Sequence, residues 1–191
     1  IQHRNHPILG KFISENFYLS DGNGVRSPDS EGFKAAKIQH LSLTNERPCM
    51  WINIPHGSDE FMEQKRGTSR YRVAEAKTIA KLAKRWIQER GDEHLTFGFV
   101  AFYSAQKSEI RRALEKEGVN IYETFMDNEV HKIKRRFEIG TVDEFQGKEF
   151  DVAFLSAVRS KSLDFLNNKN IPLPGIFGHL MSKNRLCVAM S

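Results

Sequence analysis

Two kinds of apolar spacing alternate along this chain. Near-continuous apolar runs at 49–54, 96–102, 137–142 and 151–157 read as strands, because a parallel strand is buried on both faces and cannot alternate with polar residues. Between them, Val73, Ala76, Ala80, Ala83 and Ile87 recur at intervals of three and four, which is one face of an amphipathic helix, and Gly91 fits its end. Ser104 reads as the N-cap of the next helix, which turns Ile110 and Leu114 inward and stops near Gly118. Residues 20–47 are rich in Ser, Gly and charge and read as a surface excursion with one short strand at 38–43. The stretch 160–180, with Asn167, Asn168, Pro172 and Pro174, reads as a mobile loop before a last helix. Strands alternating with helices predict an α/β fold, a parallel sheet with helices on both faces.

Composition narrows the class. A chain of 191 residues suits one compact domain spanning 1–191, since two would each have too small a core. With 39% hydrophobic and 28% charged residues and 14 Phe, it is globular rather than disordered. No run approaches the roughly 18 apolar residues of a membrane span, so an intracellular, cytoplasmic protein without membrane contact is expected. Cys49 and Cys187 form no CxxC pair, which argues against a disulfide scaffold or zinc site, and both read as small buried residues. His3, His6 and His131 lack metal-ligand spacing, so no metal site is expected. The net charge of +5 is compatible with a polyanionic partner, and four basic residues cluster in HKIKRR at 131–136.

The candidate chemistry lies in two strings, GTVDEFQGKEFDV at 140–152 and QHRNHP at 2–7. The first is a strand that ends on a polar turn, crosses a glycine and re-enters a buried strand, the kind of junction where open α/β sheets bind ligands. In it Thr141 and Asp143 can meet a polar strand, Gly147 lets backbone approach a phosphate or ribose, and Glu149 offers a carboxylate to hydroxyls.

Taken together the motifs resemble superfamily 1 helicases, in the branch of the nonsense-mediated-decay RNA helicase and its DNA-acting relatives. The family's QYRMHP is matched by Gln2, His3, Arg4, Asn5, His6 and Pro7 at four of six letters. Its TVDxFQGxExD is matched at Thr141, Val142, Asp143, Phe145, Gln146, Gly147, Glu149 and Asp151, and its closing GFLxDxRRLNVALTRAR aligns with GHLMSKNRLCVAMS at 178–191. Tyr103 and Gln106 stand where the family has Pro-Tyr-x-x-Gln, with Phe102 replacing the Pro, and Arg72, Glu75 and Ala76 stand at NxxEA without its Asn. His3, Asn5, Asn184 and Cys187 are the other departures. The sequence contains no GxxxxGKS/T phosphate loop and no strand ending in Asp-Glu.

The resemblance implies a RecA-like second motor domain that is part of a longer chain, since the sequence opens inside one motif and closes inside another. It implies Arg4 and Arg185 as arginines that stabilise charge on a transferring phosphoryl. Gln2, Gly147 and Glu149 become nucleotide contacts, and Tyr103, Gln106, Thr141, Val142 and Asp143 contacts to a nucleic-acid strand. ATP with Mg2+ is the implied cofactor, its metal ligands supplied by a first RecA-like domain absent from this sequence. Single-stranded DNA or RNA and that first domain are the implied partners, and this part alone is expected to be inactive. The alternative is a degenerate RecA-like module that grips nucleic acid or protein without hydrolysis; a phosphate loop and an Asp-Glu strand end in preceding sequence would exclude it.

Overall fold

In the computed structural model, residues 6–19, 24, 47–89, 95–127, 131–167 and 171–190 are described. The chain forms two compact units, one from Ile1–Asn53 with Ser182–Ser191 and the other from Ile54–Met181. The elements are helix α1 (Pro7–Ile13), strands β1 (Gln64–Arg66) and β2 (Ser69–Tyr71), helix α2 (Val73–Glu89), strand β3 (Phe97–Ala101), helix α3 (Ser104–Lys116), strands β4 (Thr124–Asp127), β5 (Lys132–Arg135), β6 (Phe137–Thr141) and β7 (Val152–Ser156), and helices α4 (Leu163–Asn167), α5 (Leu173–Phe177) and α6 (Lys183–Met190).

The larger unit is built on a parallel sheet ordered β6-β3-β7. The expected strands at 96–102, 137–142 and 151–157 are its three members, and β3 is buried along its whole length, as a central strand should be. Register aligns Phe97 with Phe137 and Val152, and Phe99 with Ile139 and Phe154. These side chains share one face, where Phe97 stacks on Phe137 and Phe99 on Phe154 at centroid distances of 5.4 and 5.3 Å. Helices α2 and α3 cover this face. Trp86 of α2 meets Phe154, and Ile110 and Leu114 of α3 are fully buried as expected. The buried stripe of α2 is mostly alanine, Ala74, Ala76, Ala80 and Ala83, so little but backbone separates it from its neighbours.

The opposite face carries Gly98, Val100 and Gly140, and the segment between β6 and β7 folds back over it. A Cβ on Gly98 would fall closer than 3.0 Å to the Phe150 ring, and one on Gly140 closer than 3.0 Å to the Phe145 ring. The two phenyl rings, 5.1 Å apart, lie on a floor from which side chains have been removed.

Four expectations are corrected. Residues 49–54 form no strand: Trp51 is 84% exposed, with Met50 and Ile52 also exposed, because an apolar run becomes a strand only where a neighbour completes its ladder. Cys49 is exposed and Cys187 half-buried rather than enclosed. Ser104 is the first residue of α3 and not its cap; Tyr103 holds the cap position without a side-chain bond, and Ser69 of β2 supplies the missing acceptor, taking the N–H of Ala105 at 2.9 Å. The stretch 160–180 contains α4, α5 and a further turn at Gly178–Met181 rather than plain loop. The short strand expected at 38–43 and the stop at Gly91 lie outside the described residues.

The basic run HKIKRR forms β5 of an antiparallel hairpin with β4, exposed at every position of β5. Lys134 pairs with Asp127, and Arg136 with Glu123.

In the smaller unit, Pro7 opens α1 beside the His6 ring, whose Nδ1 accepts the Ile8 N–H at 3.2 Å. The helix runs on through a wider turn at Ser14–Tyr18. The Tyr18 hydroxyl reaches Cys187 Sγ of α6 at 3.4 Å, across 169 residues of sequence. That hydrogen bond, ahead of other causes, raises the Tyr18 pKa. The helices that follow QHRNHP and carry the closing motif therefore meet within one unit.

Candidate nucleotide and strand site

The turn after β6 is fixed from three sides. Thr141 and Glu144 form a capping box, in which the Thr141 side chain accepts the Glu144 N–H and the Glu144 carboxylate accepts the Thr141 N–H at 2.7 Å. Lys107 of α3 donates to both Glu144 oxygens at 2.8 and 2.9 Å, and with the Thr141 N–H it holds the Glu144 carboxyl below its ordinary range. Phe145 and Val142 are buried beneath. The Lys148 N–H closes the turn onto Phe145 O at 3.0 Å, while its ammonium pairs with Glu138 and lies 5.5 Å from the Phe145 ring centre. Asp151 then locks the start of β7, accepting the Thr96 N–H and hydroxyl, each at 2.7 Å.

What this frame holds up is Gly147 and Glu149, both exposed. Gly147 has φ +82°, a conformation L side chains rarely adopt, and no atom lies within 4 Å of where its Cβ would be. Glycine is needed there for backbone shape and leaves bare backbone open to approach. Asp143 is exposed and Thr141 half-buried, whereas Val142 is enclosed.

Behind the turn a buried polar network ties α2, α3 and β7 together. Gln106 is 0% exposed: its amide oxygen accepts the Arg72 N–H at 2.7 Å, and its NH2 donates to Arg72 O at 3.2 Å and Ser156 Oγ at 3.0 Å. Ser156 donates to Glu75 Oε2 at 2.5 Å, and the same carboxylate accepts the Val158 N–H at 3.0 Å. Burial pushes the Glu75 carboxyl up, opposed by these bonds and by Arg72. The Arg72 guanidinium, lowered by burial, donates to the carbonyls of Ile54, Pro55 and Phe61. Glu63 forms a second hub, with Arg70, Arg159 and Lys161 paired to its buried carboxylate.

The predicted site residues thus divide. Thr141, Asp143, Gly147 and Glu149 share one surface turn. Gln106 and Tyr103 lie inside, so the direct strand contact expected of their side chains has no surface in this arrangement; Tyr103 is 6% exposed. Arg185 stands in α6 of the smaller unit, half-buried, its N–H donating to Ser182 Oγ at 3.4 Å. Gln2 and Arg4 lie outside the described residues. Glu63, Arg72, Glu75 and Arg159 were not expected as site residues. Arg72 and Glu75 sit inside the NxxEA match, which was the available signal; Glu63 has none, and two of its three partners, Arg159 and Lys161, are distant in sequence. Among the described residues no group of three His, Cys, Asp or Glu is placed to hold a metal, and no helix is long and apolar enough to cross a membrane.

A parallel sheet whose strand leads into a glycine turn, with helices packed against it, defines a RecA-like α/β domain. The chain belongs to the AAA domain family, whose model matches residues 1–191. It is similar to a regulator of nonsense transcripts 1 homolog of Neurospora crassa, 30% identical over 100% of this chain and 15% of that protein. A homolog of the same name in Drosophila melanogaster is 28% identical over 88% of the chain and 13% of its own length. The ATP-dependent helicase upf1 of Schizosaccharomyces pombe is 28% identical over 88% and 17% respectively. The chain spans less than a fifth of the length of each.

Proposed function

We propose that this domain is the second motor domain of an ATP-dependent helicase or translocase acting on single-stranded DNA or RNA. The observation that carries the reading is the exposed turn at 141–149, braced from beneath at the carboxyl end of β6, where sheets of this class bind ligands. Gln2, Gly147 and Glu149 are assigned to the nucleotide, Glu149 to its ribose. Thr141 and Asp143 face the strand. Val142 and Gln106 hold that surface in place. Arg4 and Arg185 are assigned to the charge that develops on the transferring phosphoryl, a task for a planar, permanently charged fork that pairs with two oxygens at once.

One turn would then carry both ligands, so a nucleotide-dependent shift of this turn would alter the grip on the strand. ATP binds with Mg2+ in such motors, and the metal ligands and phosphate cradle fall to a first motor domain. The names of the similar helicases support the reading. Glu149→Ala in the intact protein should weaken nucleotide binding by roughly ten- to a hundredfold, the range for losing hydrogen bonds to a charged group, and leave nucleotide-free strand affinity unchanged. Unchanged nucleotide affinity with weakened strand binding would refute the assignment.

A further inference from the structure

We propose that the β4–β5 hairpin is a second contact surface for single-stranded nucleic acid, apart from the turn at 141–149; the inference rests on the reading of this domain as part of a strand-binding motor. The hairpin is rooted in the larger unit through Arg136, the buried residue that joins it to β6. The Arg136 N–H donates to Glu123 O at 3.0 Å, and its carbonyl accepts the Phe97 N–H at 2.7 Å. Its guanidinium pairs with Glu123 and lies over the Phe97 and Phe137 rings. A surface carried on such a root keeps its shape when a ligand arrives, which lowers the ordering cost of binding.

Register sets Met126 opposite Ile133 and Thr124 opposite Arg135, and alternation puts all four on one face. That face is open: Ile133 is 71% exposed and Met126 53%, while Tyr122, just ahead of the hairpin, is 74% exposed. The other face, with Phe125 and Asp127, is partly covered. Three large apolar side chains left open on so short an element mark a contact surface, and charge decides its partner. Asp127 is taken up by Lys134 and Glu123 by Arg136. Lys132 and Arg135 are exposed and have no acidic partner among the described residues. The unpaired charges are therefore cations beside an exposed ring, the combination that takes phosphates and stacks bases. Arg135 lies just ahead of β6 and Thr141 at its end, up to about 20 Å apart at roughly 3.3 Å per residue. The hairpin is thus a separate grip, which a strand held at the turn reaches only by running along β6, at one edge of the sheet.

The test uses the intact protein without nucleotide and labelled oligothymidylates from about 4 to about 20 nucleotides, titrated at several salt concentrations. All three side chains to be changed are exposed, so the variants keep the fold. Lys132→Gln combined with Arg135→Gln should weaken binding of the longest oligomer by about tenfold and reduce its logarithmic salt slope by about 1.4, two phosphate contacts at about 0.7 each. Tyr122→Ala should weaken it by about tenfold with the slope unchanged, since a lost base stack carries no charge. The shortest oligomers cannot span both grips, so the gap between parent and variants should open only with length. Unchanged affinity and slope in both variants would overturn the proposal and leave the hairpin to a protein partner or to solvent. Equal losses at every length would also overturn it, since the hairpin would then not be a separate grip. Thr141→Val run alongside distinguishes the two readings. If it binds every oligomer like the parent while the hairpin variants do not, the turn assignment falls and the hairpin stands; if it alone weakens binding, the hairpin falls. A parent that binds no single strand would sink both.

Discussion

At the scale of single residues, the site depends on positions where side chains are missing or neutral. Gly140 contributes nothing but space, and Phe145 fills that space. Gly140→Ala should force the Phe145 ring from its floor and destabilise the domain by about 1–3 kcal/mol, the usual cost of overpacking, as read from the midpoint of urea unfolding. A midpoint equal to the parent's would mean that the turn is not seated as described. Two carboxylates respond to pH in opposite senses. Glu75 has a folded pKa raised above 4.5, chiefly by burial, so the folded state binds its proton more tightly than the unfolded state. That contribution is present at low pH and is lost as pH rises from about 4.5 through the raised value. Relative to Glu75→Gln, the parent should therefore lose stability over that window. Glu144, lowered mainly by Lys107, contributes above its unfolded value and loses that contribution as pH falls through the lowered one, and its exposure keeps the effect small. Unfolding of the parent, Glu75→Gln and Glu144→Gln across pH checks both signs.

Elements were legible in the sequence where one environment dictated the pattern. Strand β3 could be found because burial on both faces leaves no polar alternation, β7 because its residues are apolar although one face is exposed, and α2 because its alanine stripe recurs with helical period. The run at 49–54 misled for the same reason: apolarity marks a possible strand, and pairing decides it. The β4–β5 hairpin escaped notice because β5 is exposed throughout and its Lys-Ile-Lys-Arg pattern reads only as charge. The turn at 141–149 was recognisable from its motif, but the glycine floor beneath it was not, since Gly98 and Gly140 meet Phe150 and Phe145 only in three dimensions. Tyr103 and Gln106, expected at the surface from their motif, are buried; a motif does not report what a residue touches. If strand contacts fall on the remaining polar surface, they are mainly to phosphates. Strand affinity of this domain alone should then be weak and fall steeply with salt, by about 0.7 in the logarithm for each single-strand phosphate contacted per tenfold rise. Titrations at two salt concentrations test this, and nanomolar, salt-insensitive binding would contradict it.

For the whole molecule, the central claim is a divided catalytic site. The sequence supplies Arg4, Arg185 and Glu149 but no phosphate loop, and phosphoryl transfer depends almost wholly on positioning and electrostatic stabilisation that one domain cannot provide alone. The opening helix and α6, which carries Arg185, belong to the smaller unit, joined through Tyr18 and Cys187, while the glycine turn belongs to the larger. Each unit therefore holds part of the proposed machinery. The most direct test is steady-state ATP turnover, with and without single strand, of this domain, of the intact protein and of the intact protein carrying Arg185→Ala. The account predicts no turnover by the domain, strand-stimulated turnover by the intact protein, and a loss of about 10³-fold or more in the variant with strand affinity retained. Hydrolysis by the domain alone, or near-normal turnover in Arg185→Ala, would contradict it.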